Sequence, residues 1–436
     1  MPYKRIESRM IKPELERDLP LWGGLECTIN RVNNTYYDQF KAAGHYDNAE
    51  LIDTFKDLGL SAFRVPVLWE RHEPISGQKI DWTFTSNNLA GCIQHSINPI
   101  LGLVHHGSGP DYASIETPDF APRLAAYASR VARKFPWVEM YTPVNEPLTT
   151  ARFCGLYGYW YPHQRSSTGF VRVLLNECKA TVLAMRAIRE VNPKALLVQT
   201  EDLGKTYSTP ELEYQTKFEN ERRFLSIDLL CGRVNKQHPL WSYLLWSGAS
   251  EGDLDFFIQN PCTPDILGFN YYITSERYLD HRFERYPAHT IGGNQIQKYA
   301  DVEAVRINFS ALGPYNLLKE AWNRYSLPIA LTEVHLNSTP EEQLKWIIYL
   351  NEAASRLSQE GVDVRGLTLW ALTGAFNWSK LLTVNSGEYE SGLFKVQDSI
   401  IEETPLKQLF TDFTFGDEFA AGEPGWWEKD TRYAYK

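Results

Sequence analysis

Two glutamates occupy the kind of position from which a chain does chemistry. Glu146 closes the run Thr142-Pro143-Val144-Asn145-Glu146-Pro147, and Glu333 closes Leu331-Thr332-Glu333. Each follows a short apolar, β-branched segment. A lone Glu after such a segment is ordinarily a surface residue or a helix cap. A pair facing one pocket is different: one carboxyl can protonate a glycosidic oxygen while the other attacks or supports the anomeric carbon, and a gap of roughly 5 to 5.5 Å gives retention.

Other residues fit the same chemistry. Asn145 has an amide able to bind a sugar hydroxyl beside the scissile bond, and Arg64 and Tyr272 are donors suited to keep Glu333 ionised and oriented. Further apolar segments end in or carry His105-His106, Glu201-Asp202, Asn270 and Trp370. These histidines and glutamates follow neither the H-E-x-x-H spacing nor a facial triad, so metal catalysis is not expected.

The elements that must position these groups are short strands separated by amphipathic stretches, the pattern of parallel strands joined by crossover helices. The expected strands are Leu21–Cys27, Ala62–Val67, Ile100–His105, Glu139–Val144, Ala195–Thr200, Ile266–Tyr272, Ile329–Thr332 and Leu367–Leu372. Helical spacing predicts helices over Ala49–Leu58, Arg123–Lys134, Phe170–Val191, Ala311–Tyr325 and Pro340–Glu360. In the last, Thr339 is placed to cap and Pro340 to occupy the first turn, with Glu341 and Glu342 at the positive end of the helix dipole.

A doubly wound sheet would carry a glycine-rich phosphate loop after its first strand. Here that turn reads Glu26-Cys27-Thr28-Ile29-Asn30, so a single α/β domain of (β/α)₈ TIM-barrel type is expected across residues 1–436, with 415–436 as a tail packed on the barrel.

The bulk composition agrees. Hydrophobic residues are 43% and charged residues 22% of the chain, which is ordinary for a globular protein. Aromatics reach 13%, suiting sugar stacking, although packing alone uses many such rings. A net charge of −10 repels phosphate, which argues against nucleic acid or an anionic membrane as partner; the chemistry of the paired glutamates would instead take a small carbohydrate substrate. Cys27, Cys92, Cys154, Cys178, Cys231 and Cys262 are scattered singly, as buried free thiols would be. No apolar run follows the charges of Met1 to Met10, so no signal peptide or anchor is expected and the location implied is cytoplasmic.

Taken in order, the strings resemble glycoside hydrolase family 1, the β-glucosidase type, from about Leu21 to Val396. Leu21-Trp22-Gly23-Gly24 is similar to the family's opening strand, and Phe63 through Arg71 to its Y-R-F-S-I-S-W-S-R stretch. Thr142 through Pro147 resembles T-x-N-E-P with one inserted residue. Leu267 through Tyr272 is similar to L-G-x-N-Y-Y, Leu331-Thr332-Glu333 to I-T-E, and Trp370 through Trp378 to W-S-L-x-D-N-F-E-W.

The resemblance implies a retaining β-glycosidase with Glu146 as acid/base and Glu333 as nucleophile, a pocket with Trp370 as sugar platform, and no cofactor. It also exposes departures. Asn30 stands at the family's first-strand Gln, His105-His106 at its H-W pair, Val334-His335 at its Asn-Gly after the nucleophile, and Asn377, before Trp378, at its second glutamate. Glycone recognition is therefore expected from Glu26, Asn30, His105, His106, Trp370, Asn377 and Trp378 in altered form, with Glu26 either a replacement acceptor or an interior acid paired with Arg. Two further readings remain open: a retaining glycanase of the same clan with an open cleft, and a catalytically silent sugar-binding barrel; Cys154 to Phe170 and Tyr278 to Val302 are the segments able to build the rim of either a cleft or a pocket.

Overall fold

All eight expected strands form in the computed structural model, which describes residues 19–413 and 424–435, and they pair in parallel and in chain order into a closed barrel. They are β1 (Leu21–Gly24), β2 (Ala62–Pro66), β3 (Asn98–His105), β4 (Met140–Asn145), β5 (Leu196–Asp202), β6 (Ile266–Tyr271), β7 (Ile329–Val334) and β8 (Val364–Leu369). Strands β1 and β8 stop short of the expected ends at Cys27 and Leu372. Beyond them one backbone bond, Leu372 N–H to the Gly24 carbonyl at 3.0 Å, continues the contact.

Helices over Phe120–Lys134, Ser167–Val191, Gly313–Tyr325 and Pro340–Gln359 lie where amphipathic spacing placed them. Thr339 caps the last, accepting from Glu342 N–H at 3.4 Å. The helix expected over Ala49–Leu58 is instead a 3₁₀ stretch, Ile52–Leu58, ended by Gly59 at φ 66°. Asp53, Thr54 and Asp57 are poor helix formers, and so short a run has little cooperativity to offset them. Conversely, the helix Thr83–Gln94 gives little periodic signal because its buried face is Thr85, Asn88, Leu89 and Cys92, half of it polar.

Barrel strands alternate inward and outward, and an apolar floor sets the register. Trp22, Ala62, Ile100, Val198, Ile266 and Ala330 cluster with Met140, one residue from each of seven strands. Two residues further along several of these strands come Gly24, Arg64, Thr142, Thr200, Gly268 and Thr332; the polar groups of the site begin in this layer. Gly24 pairs with Arg64 across β1 and β2.

The pairing of β7 with β6 slips between Leu331 and Glu333, a bulge directly before the second glutamate. A bulge breaks strict alternation. As a result the Thr332 hydroxyl reaches Asn270 on β6 while the next side chain, Glu333, reaches Arg64 on β2.

The connection from β5 to β6 holds short helices, including Glu213–Arg222 and Glu251–Gln259, and the strand Lys205–Ser208, which pairs with Glu276–Asp280 in a four-stranded sheet whose other three strands follow β6. The region Tyr278 to Val302, nominated as a rim, supplies parts of those three strands. Of the expected tail, residues 424–435 are described, and Trp427 stands edge-on to Trp346 with ring centroids 5.0 Å apart. The reading of Met1 to Met10 lies outside the described residues, as does that of 415–423. All six cysteines are free. Among the described residues no helix is long and apolar enough to cross a membrane.

A Cβ at Gly24 would stand 2.6 Å from Cζ3 of Trp370. Gly24→Ala must push that indole away from its place beside Arg64, an overpacking that costs about 1–3 kcal/mol. Urea denaturation should show the loss as a lower midpoint at an unchanged slope, and an unaltered midpoint would mean that Trp370 moves freely.

Candidate active site

Arg64 joins three strands at the barrel mouth. Its Nη1 donates to Glu333 Oε1 at 2.7 Å and to the Thr332 carbonyl at 3.0 Å, and its Nη2 donates to Asn145 Oδ1 at 2.6 Å. Tyr272 donates its hydroxyl to the other oxygen, Glu333 Oε2. The Asn145 carbonyl also accepts from the Thr200 hydroxyl at 2.7 Å, which turns its Nδ2 towards Nε2 of His105 and His106, at 3.3 and 3.5 Å.

Glu146 follows β4 with φ 45°, a left-handed backbone uncommon for a residue with a side chain, and Pro147 starts a short helix directly after it. Glu201 supports that turn by accepting the Leu148 N–H at 2.9 Å. Glu146 Oε1 accepts from Asn270 Nδ2 at 2.6 Å, and Asn270 Oδ1 in turn accepts from Thr332 at 2.7 Å. The two glutamates are thus linked through neighbouring strands. Both are buried, with 5% and 4% exposure, so neither is a surface residue or a solvated cap.

Their electrostatic settings differ. Burial pushes both carboxyls up. For Glu333 the charge of Arg64 and the hydrogen bonds from Tyr272 and Arg64 pull back. Among the described residues no cation is bonded to Glu146, although the field of Arg152 reaches it; Glu333, Asp202 and Glu201 add to the effect of burial, so it lies well above the ordinary glutamate value. Burial and Arg64 depress His106 to about 3, and burial, His106 and Arg64 depress His105 well below its usual value. Both rings are neutral. The 3.6 Å approach of His106 Nε2 to Glu146 Oε2 is therefore not an ion pair.

The remaining expected residues divide. His105 stacks on Trp370 with rings 5.5 Å apart, and Arg64 lies 4.4 Å over the same indole, so that ring is engaged on behalf of the arginine and histidine. His106 stands left-handed at φ 56°, bonded to the Thr150 hydroxyl at 2.9 Å and near the rings of Trp160 and Trp378. Glu26 is buried beside Trp378 and within the field of Glu333.

Asn30 and Asn377 are engaged elsewhere. Asn30 Nδ2 donates to the Leu382 carbonyl at 3.1 Å. Asn377 donates to Asn385 Oδ1 at 3.2 Å and accepts from Ser386 N–H and Oγ, both at 3.0 Å. The amide expected to read the glycone thus has its donor and acceptor turned into its own loop, because Asn377 sits at φ 58° at the start of a tight turn. The interior-acid reading of Glu26 also needs correcting, since no Arg pairs with it among the described residues and Arg64 is taken up by Glu333 and Asn145.

Sequence reasoning missed Glu70, Thr150 and Trp160. Glu70 accepts the Gly109 N–H at 3.0 Å and lies so close that a Cβ at Gly107 would be 1.9 Å from its Oε1, which fixes the loop carrying His106. Its only signal is an acid in the string Trp69-Glu70-Arg71 where the similar family stretch has Ser. Among the described residues no group of three or more His, Cys, Asp and Glu is disposed to hold a metal ion.

Comparison with known proteins places this geometry. Residues 26–389 match the family model described as Glycosyl hydrolase family 1. The chain is 25% identical over 418 residues to a bifunctional beta-D-glucosidase/beta-D-fucosidase of Bifidobacterium breve, covering 81% of this chain and 88% of that one. It is 24% identical over 386 residues to the 6-phospho-beta-glucosidase GmuD of Bacillus subtilis, with 77% and 79% coverage. Among solved structures, a beta-glucosidase from Thermotoga maritima in complex with noeuromycin superposes with a TM-score of 0.69 at 18% identity, over 85% of this chain and 86% of that one.

Several buried carboxyls make stability depend on pH. Burial raises Glu26 and Glu70 to about 7 and Glu201 to about 8. Each binds its proton more tightly folded than unfolded, so its stabilisation is whole below the ordinary glutamate value and is lost as pH climbs through the folded one. Urea unfolding between pH 5 and 8 should show this decline, at most about 1.4 kcal/mol per pH unit for each group. Glu70→Gln should make the slope shallower, and an unchanged slope would show that Glu70 does not titrate there.

Proposed function

This chain belongs to glycosyl hydrolase family 1, and we propose from that premise that it cleaves β-linked O-glycosides with retention, Glu333 acting as nucleophile and Glu146 as general acid, then base. What supports the assignment is above all the unequal setting of the glutamates. Arg64 and Tyr272 both serve Glu333, whereas Glu146 meets the neutral amide of Asn270, the neutral ring of His106 and nearby acids.

In the first step a Glu333 oxygen bonds to the anomeric carbon as the bond to the leaving oxygen breaks, and Glu146 gives that oxygen its proton. Arg64 and Tyr272 then hold the ester. In the second step Glu146, now a carboxylate, takes a proton from water as the water attacks the same carbon, and Glu333 leaves as carboxylate. Asn145, its carbonyl fixed by Arg64 and Thr200, offers Nδ2 to a sugar hydroxyl, with His105, His106 and Trp378 around it.

A pocket is favoured over an open cleft. Trp160, from the segment considered as a rim, donates its indole N–H to the Leu381 carbonyl at 2.7 Å, and Asn30 holds Leu382, so the loop after β8 is tied down at the barrel mouth.

Proton NMR of an aryl β-glycoside digest should show the β-anomer first; the α-anomer as first product would overturn the role of Glu333. Glu146→Ala should lose at least a hundredfold on glycosides with poor leaving groups and far less on dinitrophenyl glycosides, which need little protonation. Equal losses on both would remove Glu146 from the acid role.

A further inference from the structure

Asn30 and Asn377 stand where the family resemblance expects amide or carboxyl grips on the sugar, yet Asn30 gives its Nδ2 to Leu382 and Asn377 has both amide functions in its own loop. Hydrogen-bonding capacity at the pocket must then come from elsewhere. Glu26 lies on the continuation of β1, alternating inward from Trp22 in the apolar floor through Gly24 beside Arg64.

Its burial is unusual in kind. Only 6% exposed, the carboxyl accepts the Thr28 N–H at 2.9 Å, which fixes it, and no cation pairs with it among the described residues. The Thr28 hydroxyl and the Trp378 indole stand beside the same carboxyl, but neither forms a well-directed hydrogen bond; Thr28 Oγ1, Trp378 Nε1 and Asn30 Oδ1 are all buried without a partner. A buried acid without an ion pair is costly, and so are the unsatisfied Thr28 hydroxyl and Trp378 indole beside it. A small residue at this position would avoid the first of these costs. The arrangement is that of a polar subsite completed by a ligand.

We propose that Glu26 is the residue that selects the glycone, receiving a hydroxyl of an uncharged sugar and excluding anionic glycones such as uronides and 6-phosphates. The proposal rests on the glycosidase reading above. Exclusion follows from charge: Arg64 is occupied by Glu333 and Asn145, and the field of Arg152 is shared among Asp202, Glu201 and Glu146, so a carboxylate or phosphate added beside Glu26 would meet Glu26 and Glu333 uncompensated. Burial raises the Glu26 carboxyl to about 7, so near neutrality it can donate to a sugar oxygen as well as accept from a hydroxyl.

Glu26→Gln tests this while preserving shape, because the amide oxygen can still accept from Thr28. On aryl β-glucoside, kcat/KM should fall roughly tenfold to a hundredfold. On at least one of the 2-, 3-, 4- and 6-deoxy glucosides, the one lacking the contacted hydroxyl, the loss should nearly vanish. Discrimination against the glucuronide and the 6-phosphoglucoside should narrow, and Glu26→Asp should restore part of the preference. An equal loss across every sugar, or none, would overturn the proposal, since a merely structural role would not distinguish hydroxyls. Calorimetric titration of wild type and Glu26→Gln with glucose, its deoxy analogues and glucuronate gives the same comparison without turnover. If the wild type binds these sugars selectively through Glu26 but cleaves no glycoside, the glycosidase reading fails and the selection by Glu26 stands. If wild type and variant bind all of them alike, the selection fails even where cleavage persists.

Discussion

Arg64 is the cation bonded to Glu333, and much of the site follows from where its guanidinium points. A fixed planar fork can serve several acceptors at once, and here it spans β2, β4 and β7 by binding Asn145, Glu333 and the Thr332 carbonyl. Because it touches Glu333 and not Glu146, two buried carboxyls on one pocket have unequal proton affinities. Burial above all, with the arginine's field added, keeps both histidines neutral, so they add no competing charge. Removing the arginine would leave Glu333 buried and uncompensated, a loss larger than the pair's own attraction.

The arginine can hold this position because of what lies beneath it. The floor built from Trp22, Ala62, Ile100, Val198, Ile266 and Ala330 shuts the barrel and fixes which residues face inward, so Arg64 follows Ala62 and Asn270 lies in step with Ile266. Strict alternation would put Thr332 and Glu333 on opposite faces of β7. The slip before Glu333 relieves that constraint, and both contribute to one network. A local irregularity in pairing thus does what the regular strand cannot.

Those parts of the fold that rest on periodicity were legible in the sequence. Short β-branched runs marked all eight strands, and polar residues at their ends marked Glu146, Glu333, Arg64 and Tyr272. The 3₁₀ stretch at Ile52–Leu58 and the helix at Thr83–Gln94 were not, one because local composition outweighed spacing and the other because its buried face is half polar. Glu70 and Trp160 were hidden for another reason: they act by supporting loops, and loop contacts are set by chain path and carry no repeat. The family resemblance located Asn377 in the sequence but gave no account of its hydrogen bonds.

Those bonds bear on why the residue is an amide. At Asn377 one side-chain atom donates to Asn385 Oδ1 while the other accepts from the Ser386 backbone and hydroxyl. A carboxylate has acceptors only, so an ionised acid there would set an oxygen against the Asn385 oxygen. The loop it closes is the one that Asn30 and Trp160 hold through the Leu382 and Leu381 carbonyls, and Gln39 braces its base with paired bonds to Phe376. Asn30 and Asn377 therefore share a task in holding the loop after β8, and the amide at each is suited to it by having a donor. With these groups committed to architecture, the proposed reading leaves a sugar to the polar atoms on the β1 continuation, at Asn145 and at the Trp378 indole; Asn145 among them is already held by Arg64 and Thr200.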